Sequence, residues 1–229
     1  MPGQDTRLRL LVAAEELFAE RGIEAVSLRE INIAAGQKNS GASHYHFGSK
    51  DGLIEAIFQH RQADTYERRR QLADRIEADA ATADIRRLVE ALVLPLAEQF
   101  TGSTGGSRYV RFLQQVHDEP GTRGFARFRD KVDEAQIRVE RMLRRALVHI
   151  PRKLLDLRLR LMADHIIHAF AARERARKRN RIGNAATADA ALFVSNLIDT
   201  WVGAIGAPVS SSTERALDGS PNPTNGGHP

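Results

Sequence analysis

The stretch SLREINIAAGQKNSGASHYHFGSK, from Ser27 to Lys50, constrains this chain more than any other. Ser27 followed three residues later by Glu30 has the spacing of a capping box and so marks a helix start. Leu28, Ile31, Ala34 and Ala35 then share one face of a short helix. Gly36 comes directly after them and can enter the left-handed region without a Cβ clash, which ends the helix. Past the turn Gln37-Lys38-Asn39, either Asn39 or Ser40 can cap a second short helix that carries Ser43, His44, Tyr45 and His46. It closes on Phe47-Gly48, and Ser49 with Lys50-Asp51 opens a third. Two short helices joined by a glycine-containing turn, with small alanines where they cross, fit a helix-turn-helix reader of duplex DNA.

The chemistry of the second helix suits a DNA groove. Lys38, Asn39, Ser40, Ser43, His44 and Tyr45 can hydrogen-bond to base edges and phosphates, and the small Gly41 and Ala42 between them permit close backbone approach. Lys50 falls near a helix N-terminus, where backbone amides and an ammonium can hold a phosphate together. The competing reading is a polar hairpin on the surface of an all-α protein that binds nothing.

Around this core the match widens. A first amphipathic helix ends in Phe18-Ala19-Glu20-Arg21-Gly22, followed by Ser27-Leu28-Arg29-Glu30-Ile31, Ala34-Ala35-Gly36, Tyr45-His46-Phe47-Gly48-Ser49-Lys50 and Leu53. In order and spacing, residues Thr6 to Arg61 resemble the N-terminal domain of TetR-family transcriptional repressors. The turn before the second helix is one residue longer than is usual in that family, and His44 stands where an aromatic is more usual. The resemblance implies an all-α homodimer that binds double-stranded operator DNA and is released by a small-molecule effector. Gln37, Lys38, Asn39, Ser40, Gly41, Ala42 and His44 are then expected at base edges, with Arg29 reaching a guanine. Ser27, Tyr45, His46 and Lys50 are expected on phosphates, and Phe47 and Leu53 in packing.

Composition narrows the alternatives. The 229 residues contain no cysteine, which excludes disulfides and thiolate metal sites. No apolar run approaches the roughly 20 residues of a membrane span and no signal peptide is visible, so the expected location is the cytoplasm, away from membranes. The net charge of +5 says little about DNA, because residues 1–50 hold six basic and six acidic residues. The surplus lies in 152–181, with ten basic residues against three acidic ones.

The rest of the chain reads as helices. Residues 1–5 are expected to be a loose start, and Leu10, Leu11, Ala14, Leu17 and Phe18 mark a helix from Thr6. A long helix from Ser49 through Ile76 should join a DNA-reading domain over 1–48 to a larger domain over 49–206. Further helices are expected over 84–100 (with Pro95 kinking or shortening it), 108–117, 122–149, 151–177 and 187–205, with a flexible loop at 101–107. Leu92, Leu96, Phe112, Val116, Phe128 and Val132 are candidates to line an effector cavity, with core packing the alternative. The last two helices carry more apolar surface than one face needs, so Leu161, Ile167, Leu197 and Trp201 are candidates for a dimer interface. After Ala207, a Ser/Pro/Asn/Gly-rich tail over 207–229 is expected to be disordered.

No catalytic constellation stands out. His44 and His46 lie two apart and project in different directions. Asp164, His165 and His168 lack a further ligand at a known spacing, and His117-Asp118-Glu119 stands no better. The expectation is therefore no metal, no cofactor and no enzymatic activity. The principal alternative to a repressor is a helical small-molecule-binding module without specific DNA function.

Overall fold

The computed structural model describes residues 2–102, 106–118, 133–178 and 186–219. Among the described residues there are ten helices and no strands: α1 (Pro2–Arg21), α2 (Leu28–Ala34), α3 (Ala42–Phe47), α4 (Lys50–Ala78), α5 (Ile85–Gly102), α6 (Gly106–Asp118), α7 (Glu134–Ala146), α8 (Arg152–Lys178), α9 (Ala186–Ile205) and α10 (Ser211–Leu217). Helix α1 begins at Pro2, so the start of the chain is helical rather than loose. Pro95 lies inside α5 without shortening it, since the helix runs on to Gly102. Of the loop expected at 101–107, Thr101 and Gly102 belong to α5 and Gly106 and Ser107 to α6, and residues 103–105 lie outside the described residues. The tail expected after Ala207 also contains a helix: Ser210 caps α10, its hydroxyl accepting from the Thr213 amide. Residues 220–229 lie outside the described residues, as does the N-terminal part of the helix expected over 122–149.

Helices α1 to α3 form a small bundle closed by the first turns of α4. Leu10, Ala14, Phe18, Ile23, Val26, Ile31, Leu53 and Ile57 are all buried within it. The turn from α3 into α4 is tight. Gly48 adopts φ +73°, and a Cβ on Gly52 would sit 2.1 Å from the Phe47 carbonyl oxygen, so only glycine fits there.

Two contacts help fasten the bundle to the body, beside an ion pair between Arg108 of α6 and Glu16 of α1. Arg61 of α4 makes a two-pronged bond to the buried Glu15 of α1, with both distances 2.7 Å. Phe18 of α1 stacks on Phe112 of α6 at 6.2 Å, both fully buried, and burial of an aromatic ring contributes about 1.5–3 kcal/mol. In the body, α4, α5 and α7 pack together, α6 lies between α1 and α8, and α9 covers α5.

Candidate nucleic-acid interface

The hairpin of α2 and α3 is built from its ends inward. Ser27 caps α2 through its hydroxyl, which accepts from the Glu30 amide at 3.3 Å. The Glu30 carboxylate accepts from the Ser27 amide at 2.9 Å and from the Ser27 hydroxyl at 2.8 Å. Arg21 of α1 adds a bond to the other Glu30 oxygen at 2.7 Å. The Ser27 amide, then its hydroxyl, then Arg21 hold the Glu30 carboxyl at about 2, below its ordinary value. Gly36 takes φ +67°, as its place at the end of α2 requires.

Asn32, which local sequence pattern did not single out, locks the two helices together. It is 1% exposed and donates through Nδ2 to the Ser40 carbonyl at 2.5 Å. Its Oδ1 accepts from the Ser43 amide at 2.9 Å and the Ser43 hydroxyl at 2.6 Å. Helix α3 has Gly41 at its N-cap and so lacks a cap from its own sequence; the Asn32 side chain of α2 supplies it. The expected caps behave differently. Asn39 accepts from the Gly41 amide at 2.9 Å, an Asx turn, and Ser40 lends only its carbonyl to the clamp.

The clamp decides which side chains face outward. Ala42, expected at a base edge, and Ser43 are both buried against the bundle. His44 and Tyr45 point away from the bundle, Tyr45 being 85% exposed. Arg29, Lys38, Asn39 and Ser40 are also exposed, and Gly41 is half-buried. Gln37 is half-buried, turning back to the Ala35 carbonyl at 3.1 Å. Ser27, expected on a phosphate, is exposed, and its hydroxyl donates to Glu30 in the cap. His46 is half-buried between the Tyr45 and Phe47 rings. Lys50 lies at the first turn of α4 with its ammonium 5.9 Å from the centre of the Phe18 ring. Two features of this surface escape sequence patterning: the exposed Ile33, and Arg7 of α1, whose guanidinium lies 5.3 Å from the Phe47 ring centre.

A second site lies deeper in the body. A cavity of about 420 Å³ opens between α4, α5, α6, α7 and α8, with apolar walls that include Phe58, Leu92, Leu96, Leu113, Met162 and Ile166. Its polar groups include Gln62, Thr65, Tyr66, Arg69, Gln99 and Asp164. Burial pushes the Tyr66 hydroxyl up to about 12, so it stays protonated at neutral pH. Arg69 is paired with Asp133 in a buried ion pair, yet its Nε is buried without a hydrogen-bond partner. Of the residues expected to line such a cavity, Leu92 and Leu96 do. Phe112 and Val116 are instead fully buried core residues outside its lining, Phe112 being turned toward Phe18. Phe128 and Val132 fall outside the described residues.

The four expected interface residues also divide. Leu161 on α8 is exposed, as are Leu157 one turn earlier and Leu192 on α9. Ile167, Leu197 and Trp201 are buried within the chain, Ile167 in the cavity wall and Trp201 donating to His165 at 3.0 Å. Among the described residues, no helix is long and apolar enough to cross a membrane.

Comparison with known proteins agrees with this geometry. Residues 10–57 match the family described as bacterial regulatory proteins of the tetR family, and residues 90–204 match the tetracyclin repressor-like C-terminal domain. The HTH-type transcriptional repressor KstR2 of Rhodococcus jostii is 34% identical over 108 residues, covering 44% of this chain and 50% of KstR2. The HTH-type transcriptional repressor Rv3405c of Mycobacterium tuberculosis is 42% identical over 57 residues, 25% of this chain and 30% of that protein. The chain thus spans half or less of the length of these relatives. In three dimensions it is similar to NalD, the secondary repressor of the MexAB-OprM multidrug efflux pump in Pseudomonas aeruginosa, with a TM-score of 0.53 at 21% identity over 86% of this chain and 96% of NalD. A clamped helix-turn-helix at the N-terminus and a matching helical body behind it make one conclusion plain: the chain belongs to the TetR family of bacterial transcriptional regulators.

Proposed function

We propose that this protein is a repressor that binds a palindromic operator as a homodimer and leaves it when a small molecule fills the cavity between α4 and α8. The observation that carries the reading is the α2–α3 hairpin, in which a buried Asn32 clamp holds a highly exposed tyrosine and a set of polar tips outward. A rigid mount that holds an aromatic ring and several polar tips together in water suits a reader of a DNA groove. A ligand module without DNA function accounts for the cavity but not for this surface.

In this reading residues 1–48 form the DNA-reading domain and 49–206 the regulatory one. Lys38, Asn39, Ser40 and His44 approach base edges, with Arg29 beside them. Tyr45, Lys50 and Arg7 hold phosphates and fix the register. The exposed Leu157, Leu161 and Leu192 belong to the face that pairs with a second copy. The effector is an apolar molecule bearing a hydrogen-bond acceptor, since the walls are apolar and the buried Arg69 Nε lacks an acceptor.

Two elements link the sites. Helix α4 starts directly behind the recognition helix and runs into the cavity wall at Phe58, Gln62, Thr65, Tyr66 and Arg69. On α6, Tyr109 lines the cavity and stacks on Phe112, which stacks on Phe18 of the reading bundle. An effector that prefers one placement of these helices shifts the spacing of the two reading heads by that difference in affinity.

The contact assignment is tested with Tyr45→Ala and Lys50→Ala, titrated against a duplex from the protein's own upstream region. Each is expected to weaken binding about tenfold or more, while Tyr45→Ala leaves the unfolding midpoint in place. Unchanged affinity in both variants overturns the assignment.

A further inference from the structure

Two histidines that sequence reading judged separately meet across the interface of α6 and α8. His117 and Asp118 end α6, and Asp164 and His168 lie one turn apart on α8. The His117 and His168 rings stand edge to face with centres 4.9 Å apart. We propose that His117, His168 and Asp118 form a binding site for a divalent transition-metal cation of the imidazole-preferring class, such as Zn²⁺.

Tautomer logic carries the argument. His168 Nδ1 lies 2.8 Å from the backbone carbonyl of Asp164, and a carbonyl only accepts, so Nδ1 carries the proton. In the neutral ring the lone pair is then on Nε2, which faces the Asp118 carboxylate oxygen at 3.2 Å. His117 Nε2 lies 2.8 Å from the Asp164 carboxylate, which places the proton there and turns Nδ1 toward the same Asp118 oxygen at 3.7 Å. Electron pairs that converge in this way suit a cation held among them.

The surroundings favour the metal. The three ligand atoms all lie within 4.8 Å of one another, and ligands around a tetrahedral zinc stand about 3.3 Å apart, a gap that small side-chain rotations close. Each histidine has its outer nitrogen fixed, one by a carboxylate and one by a backbone carbonyl, which is how metal-binding imidazoles are oriented. Two imidazoles with one carboxylate select zinc, nickel, copper or ferrous iron over the all-oxygen preference of magnesium and calcium. Asp164 is the positioning residue, and it also lines the cavity. A bound ion therefore clips the C-terminal end of α6 to the cavity wall on α8. The site stands on its own geometry and does not depend on the effector reading.

The experiment uses the full chain stripped of metal by chelator dialysis, then titrated with Co²⁺ by visible absorption and with Zn²⁺ by calorimetry. One equivalent per chain is expected, with a ligand-field band and a raised thermal midpoint. His168→Ala and Asp118→Asn are expected to abolish the band, and Asp164→Asn to weaken binding about 10–100-fold. A His60→Ala control, at an exposed histidine elsewhere, is expected to leave both unchanged. Far-UV circular dichroism of each metal-free variant shows whether it is folded. Absence of a one-to-one event in the wild type, or its persistence in the folded double variant His117→Ala/His168→Ala, overturns the proposal.

Discussion

Replacing Asn32 by alanine should destabilise the reading bundle markedly while leaving its apolar core intact. The side chain makes three hydrogen bonds, to the Ser40 carbonyl, the Ser43 amide and the Ser43 hydroxyl. Each contributes about 0.5–1.5 kcal/mol net, and a buried group left without a partner costs about 1–3 kcal/mol. Ser40 is exposed, so water can take over its carbonyl and that share is small. Ser43 is fully buried, so its amide and hydroxyl lose their acceptor without replacement. The expected loss is about 2–3 kcal/mol, a large fraction of the roughly 5–15 kcal/mol that holds a domain together. Urea unfolding followed by far-UV circular dichroism measures it. Ser43→Ala shares one of the three bonds, so a double-mutant cycle of Asn32→Ala with Ser43→Ala should show coupling of about 0.5–1.5 kcal/mol. Operator affinity should fall in Asn32→Ala well below what the unfolded fraction explains, because α3 is no longer held at a fixed angle to α2. If Asn32→Ala unfolds within about 0.5 kcal/mol of the wild type and binds operator equally well, the clamp is not what positions the recognition helix.

Two further outcomes follow from the same geometry. The Glu30 carboxyl has a folded pKa of about 2 against an ordinary 4.5, so what it adds to stability is complete above pH ~4.5 and fades as the pH falls toward about 2. The stability gap between wild type and Glu30→Gln should therefore be widest near neutrality and narrow by pH 3 in urea titrations; a gap that does not change with pH contradicts the capping-box account. Leu157 and Leu161 are 45% and 51% exposed on one stripe of α8, so Leu157→Glu/Leu161→Glu should leave helicity unchanged while reducing the sedimenting mass from dimer to monomer. A wild-type chain that sediments as a monomer would remove the interface.

What the sequence made legible was local. The capping box at Ser27 and Glu30, the stop at Gly36 and the long helix behind Ser49 all follow from residues within a turn of each other, and the structure has each of them. What it hid depends on distant pairings. Asn32 and Ser43 meet across eleven positions, and nothing in either helix's own period says that an asparagine will cap its neighbour or that a serine in a polar run faces inward. Phe112 and Val116 share an apolar face with residues of the cavity wall, yet the packing of α6 on α1 turns Phe112 toward Phe18. The histidines at 117 and 168 are 51 positions apart, and only the crossing of α6 and α8 brings them together. In the tail, a Ser/Pro/Asn-rich composition outweighed a sound capping signal at Ser210, which the structure shows as α10.

The most direct measurement of the central claim is selection of bound duplexes from a random DNA pool by the full chain, followed by sequencing. The account predicts an enriched inverted repeat whose half-sites lie about one helical turn or a multiple of it apart, with binding that weakens steeply as salt rises. A pool that stays unenriched at low and moderate salt, both for the protein as purified and after any bound ligand is stripped, would contradict it. The hairpin would then be a rigid surface feature with no operator.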